Sequence, residues 1–400
     1  MGNQKNMAVI VDGVRTPIGR MGGSLATFRP EELGAFAIKA LIDKTKVDPE
    51  KIDDVLMGLS NSWHTAYHPA RWAALKAGLP YSVPAVTVER ACASGLQALN
   101  FAAIQIMAGF GEIYVVGGME CWSQTPWMIA RSDGAYSFKP PQIISRETAP
   151  PPDHVVMGLT AESLAEMYDI TRQEQDAFGF QSQTRYARAM QAGVFEEEIV
   201  TVKSPQRKGP PLDFTVDEHP RNTTLEKLSN LKPAFKKDGT VTAGTATGRN
   251  DGAAALLLMS LQKAEELGYK PKARFVTCAT VGVDPKLMGI GPAYAVPKAL
   301  DQAGLKMDDM SVVEINEAFA AQVLADIREL DRQKHHIAPD DERLNPNGGA
   351  IALGHPNGMT GARLALTITN QLERCKGTYG LATLCIGGGQ GLATILERMT

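Results

Sequence analysis

Short apolar runs alternate with longer amphipathic stretches at both ends of the chain. "MAVIVDGVRTP" predicts a buried strand ended by Gly and Pro. "PEELGAFAIKALIDKT" predicts a helix with Pro30 in its first turn. "AVTVER" and "EIYVVGG" continue the strands. Between them lies "LQALNFAAIQIMAG", in which only Gln97, Asn100 and Gln105 break the apolar character. A helix this apolar is expected to be buried. From about Ser123 the periodicity fades into the Pro-rich "SQTPWMIARSDGAYSFKPPQIISRETAPPPDHVV". One helical piece is expected over "LTAESLAEMYDITRQEQDAFGFQSQTRYARAMQAG", with Thr160 to Ser163 as its cap region. Irregular sequence follows to about Gly248.

Alternation resumes with "GAAALLLMS" and "KARFVTCATVGVD". It closes with "GGAIALGHPNGMTGARLALTITNQLERCKGTYGLATLCIGGGQGLATILER". Strand-helix alternation of this kind predicts an α/β fold. The closing stretch parallels the one around Cys92: a small-residue turn, an apolar helix, a short strand and then glycines. "EIYVVGGME" answers "GLATLCIGGGQG", a weak internal repeat that predicts two similar halves facing each other. The expected division is 1–122 plus 249–272 for the first half, 123–248 for an inserted loop domain and 273–400 for the second half. Loops carry binding, so the insertion is the expected binding region.

A chain of 400 residues with 44% hydrophobic and 21% charged residues is an ordinary globular composition. The net charge of -3 leaves no electrostatic footprint for nucleic acid or an anionic membrane. No apolar run is expected to reach the ~20 residues of a membrane span. The polar, then strand-like start lacks the features of a signal peptide, and "LERMT" is not a peroxisomal address. Five scattered cysteines without a CxxC argue against zinc and for reduced thiols in a cytoplasmic setting. "GGGQGL" fails the GxGxxG pattern and no GxxxxGK[ST] occurs, so the dinucleotide and P-loop readings lack their mechanics.

Cys92 stands in a turn of small residues, Ala91 to Gly95, at the expected N-terminus of the apolar helix. Free N–H groups and the helix dipole there would lower a thiol's pKa and make it a nucleophile. A nucleophile needs a base, and "NPNGGAIALGHPNGMTGAR" places His355 in a second turn before a second apolar helix. Cys385 ends an apolar strand against three glycines, where α/β sheets build their sites. In "VVEINEAFA", Asn316 and Glu317 follow a strand and need partners if buried.

These segments resemble the thiolase family from end to end, in the family's order: "CASGLQA", "GGMECWSQTP", "MGLTAESLAE", "LKPAFKKDGTVTAGTATGRNDGAA", "GVDPKLMGIGP", "INEAFAAQ", "NPNGGAIALGHPNGMTGAR" and "TLCIGGGQG". The resemblance implies a five-layered α-β-α-β-α fold and acyl exchange between thioesters and coenzyme A. It implies Cys92 as the acylated nucleophile, His355 as its activator and Cys385 as the thiol that moves the α-carbon proton. Asn316 would hold a water in one oxyanion pocket, and the backbone N–H groups of Cys92 and Gly387 would form the other. Met157, Phe235, Ala243, Thr247, Ala318 and Phe319 would line the pantetheine channel, with Arg221 toward a CoA phosphate. CoA enters as a substrate; no metal or redox cofactor is implied, and a homodimer or homotetramer is expected.

Two departures stand out. The family's "GNASG" is "GTATG" here, and acetoacetyl-CoA-forming members carry His where this chain has Val156. Val156 tilts the expectation toward cleavage of 3-oxoacyl-CoA over condensation of two acetyl-CoA. A non-catalytic CoA- or lipid-binding subunit would be expected to lose Cys92, His355 or Cys385, and all three are present. A decarboxylating ketosynthase uses two histidines with one cysteine, which does not fit Cys385.

Overall fold

The computed structural model describes residues 6–62, 65–129, 143–144, 147–206 and 208–399. Part of the Pro-rich stretch, 130–142 and 145–146, lies outside the described residues. The main sheet contains β1 (Ala8–Arg15), β2 (Asp54–Gly58), β3 (Ala85–Val88), β4 (Ile113–Cys121) and β5 (Asn250–Ser260). It continues with β6 (Ala273–Gly282), β7 (Met310–Ile315), β8 (Tyr379–Ile386) and β9 (Gln390–Arg398). Their spatial order is β7-β8-β9-β6-β1-β5-β4-β2-β3.

Outward from the centre the two sides have the same pairing. β1 and β5 are antiparallel, β5 and β4 antiparallel, and β4 and β2 parallel. On the other side β6 and β9, then β9 and β8, are antiparallel, and β8 and β7 are parallel. The sides join where Val9 and Ile10 of β1 face Arg274 and Ala273 of β6. "EIYVVGGME" and "GLATLCIGGGQG" thus occupy equivalent strands, β4 and β8.

Four helices complete the layers: α1 (Pro30–Thr45), α2 (Ser94–Ala108), α3 (Gly291–Ala303) and α4 (Asn357–Cys375). α2 and α4 pack on each other between the two half-sheets, α1 covers the first half-sheet and α3 the second. The resulting order, α-β-α-β-α, explains the sequence pattern. A strand buried on both faces is apolar at every position. In β5, Leu256 and Leu258 join the central core with Leu96, Leu99 and Leu366, while Leu257 and Met259 join Leu33, Ile38 and Leu41 of the outer layer. In β9, Leu392 and Leu396 face the central core while Ala393 and Ile395 meet Val296 and Leu300. Each such leucine contributes about 1.5–3 kcal/mol by leaving water.

The central helices touch through glycine. A Cβ on Gly95 would lie 2.7 Å from the Gly358 carbonyl oxygen, and one on Gly361 would lie 2.4 Å from the Leu96 nitrogen. No larger residue lets the two N-termini come this close. The insertion is tied to β1 by the buried Arg15, which donates to Glu198 at 3.1 Å and to Asp217 at 2.7 Å.

Three expectations are corrected. The single helical piece is two helices, Met157–Met167 and Arg172–Gln191. The chain breaks at Tyr168 to Thr171, where Asp169 turns left-handed (φ 51°) and Thr171 with Glu174 forms a capping box for the second helix. Thr160 to Ser163 therefore sit inside the first helix, not at its cap. Second, α2 is not buried all round: Phe101, Ile104 and Met107 face outward, followed by the exposed Phe110. Third, Ala91–Ala108 is long and apolar enough to cross a membrane by length and composition, although 61% of it is buried inside the protein.

Candidate active site

The chain approaches α2 through a constrained turn. Ala91 takes a positive φ of 41°, a conformation that costs a non-glycine residue about 1–2 kcal/mol. Ser94 fastens the turn, accepting from the Arg90 N–H at 2.9 Å and donating to the Ala91 carbonyl at 2.7 Å. Cys92 is held half-buried at the tip. The approach to α4 is similar. Gly354 has φ 98°, the His355 N–H donates to Asn250 Oδ1 at 3.0 Å, and α4 begins two residues after His355.

The expectation of a lowered Cys92 pKa is overturned. Burial pushes the thiol above its ordinary value, against hydrogen bonds from Asn357 and from the Gly387 and Cys92 backbone N–H groups. The nearby Glu120 carboxyl adds to the rise. The helix N-terminus supplies donors, but the loss of water around sulfur outweighs them.

His355 is neutral. Burial, with the Arg363 charge, lowers its pKa to about 3. Its tautomer follows from its neighbours. Thr360 Oγ1 donates its one hydrogen to the Pro356 carbonyl at 3.0 Å, so at 2.6 Å it accepts from His355 Nδ1–H. Nε2 therefore carries no proton, and it accepts from Asn316 Nδ2 at 3.4 Å. Asn316 Oδ1 is buried without a protein partner among the described residues. Glu317 accepts from Ser182 Oγ at 2.6 Å, Asn345 Nδ2 at 2.8 Å and the Ile351 N–H at 3.1 Å. That carboxylate braces the loop leading to His355.

Cys385 is fully buried near the end of β8, and its pKa is pushed well above the ordinary thiol value. Burial is the first cause, followed by charge on Cys92 and on Asp326. The two sulfurs oppose each other's ionisation, so one carries charge at a time. Gly387 lies two residues on. A Cβ there would be 3.9 Å from Ala91 Cβ and 3.9 Å from Met157 Sδ, which puts Met157 at the same spot.

Several of the channel candidates touch one another. Phe235 packs edge-on against Phe319 with ring centroids 5.8 Å apart, and its ring covers Gly158 beside Met157. The Thr247 N–H donates to the Ala318 carbonyl at 3.1 Å. Arg221 Nη1 donates to the Ala243 carbonyl at 2.9 Å, in an exposed position. The Thr247 hydroxyl donates to the Ala350 carbonyl at 2.8 Å, so it has only lone pairs left to offer a ligand. Val156 is 57% exposed at the start of helix Met157–Met167, an open position and not an enclosed pocket wall.

Sequence reasoning missed several residues. Asn357 Nδ2 donates to Cys92 Sγ at 3.1 Å, and Trp122 Nε1 donates to Asn357 Oδ1 at 2.8 Å. Glu120, fully buried at the end of β4, accepts from the Gly358 N–H at 3.0 Å and from Ser60. Burial lifts its pKa to about 7. A carboxyl closing an otherwise apolar strand was the signal for Glu120. The positions two and five after His355, on a helix start, were the signal for Asn357 and Thr360. Among the described residues no group of three His, Cys, Asp or Glu could hold a metal ion.

Residues 8–262 match the family described as thiolase, N-terminal domain, and residues 269–398 match thiolase, C-terminal domain. A 3-oxoadipyl-CoA/3-oxo-5,6-dehydrosuberyl-CoA thiolase of Escherichia coli is 46% identical over 404 residues, covering 98% of this chain and 99% of the relative. An acetyl-CoA acetyltransferase of Chromobacterium violaceum is 46% identical over 394 residues, with 97% and 99% covered. The fold superposes on a Bacillus anthracis acetyl-CoA acetyltransferase with a TM-score of 0.92 at 42% identity, covering 98% of this chain and 99% of that one. It superposes on human mitochondrial 3-ketoacyl-CoA thiolase in complex with CoA with a TM-score of 0.91 at 38% identity, with 99% of each chain covered.

Proposed function

The chain belongs to the thiolase family, which makes it an acyltransferase that uses coenzyme A, and we propose that it cleaves 3-oxoacyl-CoA with CoA through an acyl-Cys92 intermediate. The observation that carries this reading is that the Cys92 and Cys385 sulfurs oppose each other's ionisation, while the neutral His355 stands two residues before Asn357, which bonds the Cys92 sulfur. His355 Nε2 takes the Cys92 proton as the sulfur attacks the 3-oxo carbon. Burial lowers the imidazole pKa and raises the thiol pKa, so both groups rest neutral. Proton transfer therefore accompanies attack, with the developing oxyanion met by His355 and a water held by Asn316.

The C2–C3 bond then breaks and its electrons leave as the acetyl-CoA enolate. Cys385, a protonated thiol at rest, gives its proton to the α-carbon. CoA next passes its thiol proton to Cys385 and attacks acyl-Cys92. The Cys92 sulfur departs and recovers its proton from His355. A resting acid at Cys385 suits this direction. The Gly387 and Cys92 N–H groups, both turned to the Cys92 sulfur, are placed to serve the second oxyanion.

CoA reaches the site along Met157, Phe235, Thr247, Ala243 and Arg221 of the inserted domain 123–248 and Ala318 and Phe319 of the second half. The outward Phe101, Ile104 and Met107 of α2, with Phe110 just beyond it, support a homodimer or homotetramer. All five cysteines are free thiols, which supports a reducing, cytoplasmic location.

A second reading is condensation of two acetyl-CoA, favoured by the relative named acetyl-CoA acetyltransferase. The test is CoA-dependent loss of 3-oxoacyl-CoA across chain lengths. Cleavage is expected to extend to six carbons and beyond. Activity confined to acetoacetyl-CoA would leave the condensing reading, and no turnover of any thioester would leave a binding protein.

A further inference from the structure

The Cys92 sulfur is bonded by the side-chain amide of Asn357, at 3.1 Å, while His355 spends its ring contacts on Asn316 and Thr360. An amide can point either its NH₂ or its oxygen at a neighbour, and the two are told apart by their partners. Here the partner decides. Trp122 Nε1 is a donor only and lies 2.8 Å from the other end of the amide. The oxygen must face the indole, so the NH₂ must face the sulfur. Trp122 is itself held, with the Arg249 guanidinium carbon 5.1 Å from its ring centroid. The Arg249 backbone in turn pairs with His355.

We propose that Asn357 is a catalytic residue that binds the Cys92 sulfur whenever it carries charge, and that Trp122 is the positioning residue that aims it. A thiolate accepts such a bond more strongly than a thiol or a thioester does. Sulfur is charged at two moments of the cycle: as it attacks the 3-oxo carbon, and as it is expelled when CoA attacks acyl-Cys92. In both, the bond strengthens as charge builds. Attack gains less than departure does. A more stable thiolate is a weaker nucleophile, so a tenfold gain in thiolate yields about threefold in attack, whereas a leaving thiolate benefits directly.

This inference rests on Cys92 as the acylated nucleophile, but its test needs no substrate. Cys92 is alkylated with iodoacetamide across pH, and the rate is read on the Cys92 peptide by mass spectrometry. Asn357→Leu and the smaller Asn357→Ala are each expected to raise the midpoint by about one pH unit, tenfold in thiolate at neutral pH. Trp122→Phe keeps a ring for Arg249 but loses the N–H, and is expected to show part of that rise. Cys375, exposed at the far end of α4 about 27 Å along the helix, serves as the internal control and is expected not to change. A wild-type midpoint in both Asn357 variants would overturn the proposal. A wild-type midpoint in Trp122→Phe would overturn the aiming role. Failure to acetylate Cys92 from acetyl-CoA would instead sink the thiolase cycle and leave the alkylation result standing.

Discussion

The turns before α2 and α4 occupy equivalent places in the two halves, and each holds its reactive side chain two residues before a helix. Their surroundings differ. At the turn into α2, Glu89 accepts from the Ala91 N–H at 2.9 Å, and Ser94 fastens the turn and leaves the Cys92 N–H aimed at the sulfur. The N-terminus of α4 is met by Glu120, which accepts from the Gly358 N–H. One half keeps the Cys92 N–H for the sulfur, where charge must develop. The other commits the Gly358 N–H to a carboxyl and holds an imidazole that stays uncharged. A duplicated frame acquired two chemistries through the partners of two helix ends.

The sharpest break in the comparison is removal of the side chain itself. Cys92→Ala is expected to lose at least about 10⁴-fold in kcat, because no covalent intermediate can form. His355→Gln keeps the turn but not the base, and is expected to lose about 10²–10⁴-fold while still acylating slowly. Acetyl label on the Cys92 peptide under single-turnover conditions separates the two. Equal and complete loss of label in both variants would mean that the two turns do one job.

Gly361→Ala tests the contact that brings the halves together. The added carbon meets the Leu96 backbone, so the helix N-termini must part. A displacement near 1 Å is expected to cost about 10²-fold in kcat/KM, with a stability loss of about 1–3 kcal/mol in thermal melts. Full activity in a folded variant would show that close approach is dispensable.

The smallest effect concerns Glu120. Its proton is held to about pH 7 in the fold against an ordinary 4.5. The folded state binds that proton more tightly, so the contribution is complete below about pH 4.5 and is lost as pH rises to about 7. Glu120→Gln is expected to flatten the fall of Tm between pH 5 and 8. Glu314, also raised to about 7, leaves a residual slope in both proteins. An unchanged slope would mean that Glu120 does not titrate in this window.

Much of this was legible before the fold was known. The run "GAAALLLMS" is apolar at every position because β5 is buried on both faces, and such runs announce a covered sheet. Cys92, His355 and Cys385 stood out because small residues and glycines crowded three reactive side chains. The boundary at Asp169 was not legible, because a left-handed turn at an aspartate leaves no period in the sequence. Neither was the outward stripe of α2, since apolar residues look alike whether they face a core or another surface.

Sequence alone determined which chemistry is available: two thiols, one imidazole and a sheet built twice. Only the tertiary structure decided their states. The Cys92 turn predicted a lowered pKa from the helix end, and burial reversed it. Desolvation depends on every group that excludes water, whatever its distance along the chain. The His355 tautomer depends on Thr360 and Pro356, and the sulfur's donor on a residue 265 positions away. Local sequence sets what a side chain can do; the shape of its cavity sets the cost of each charge it carries.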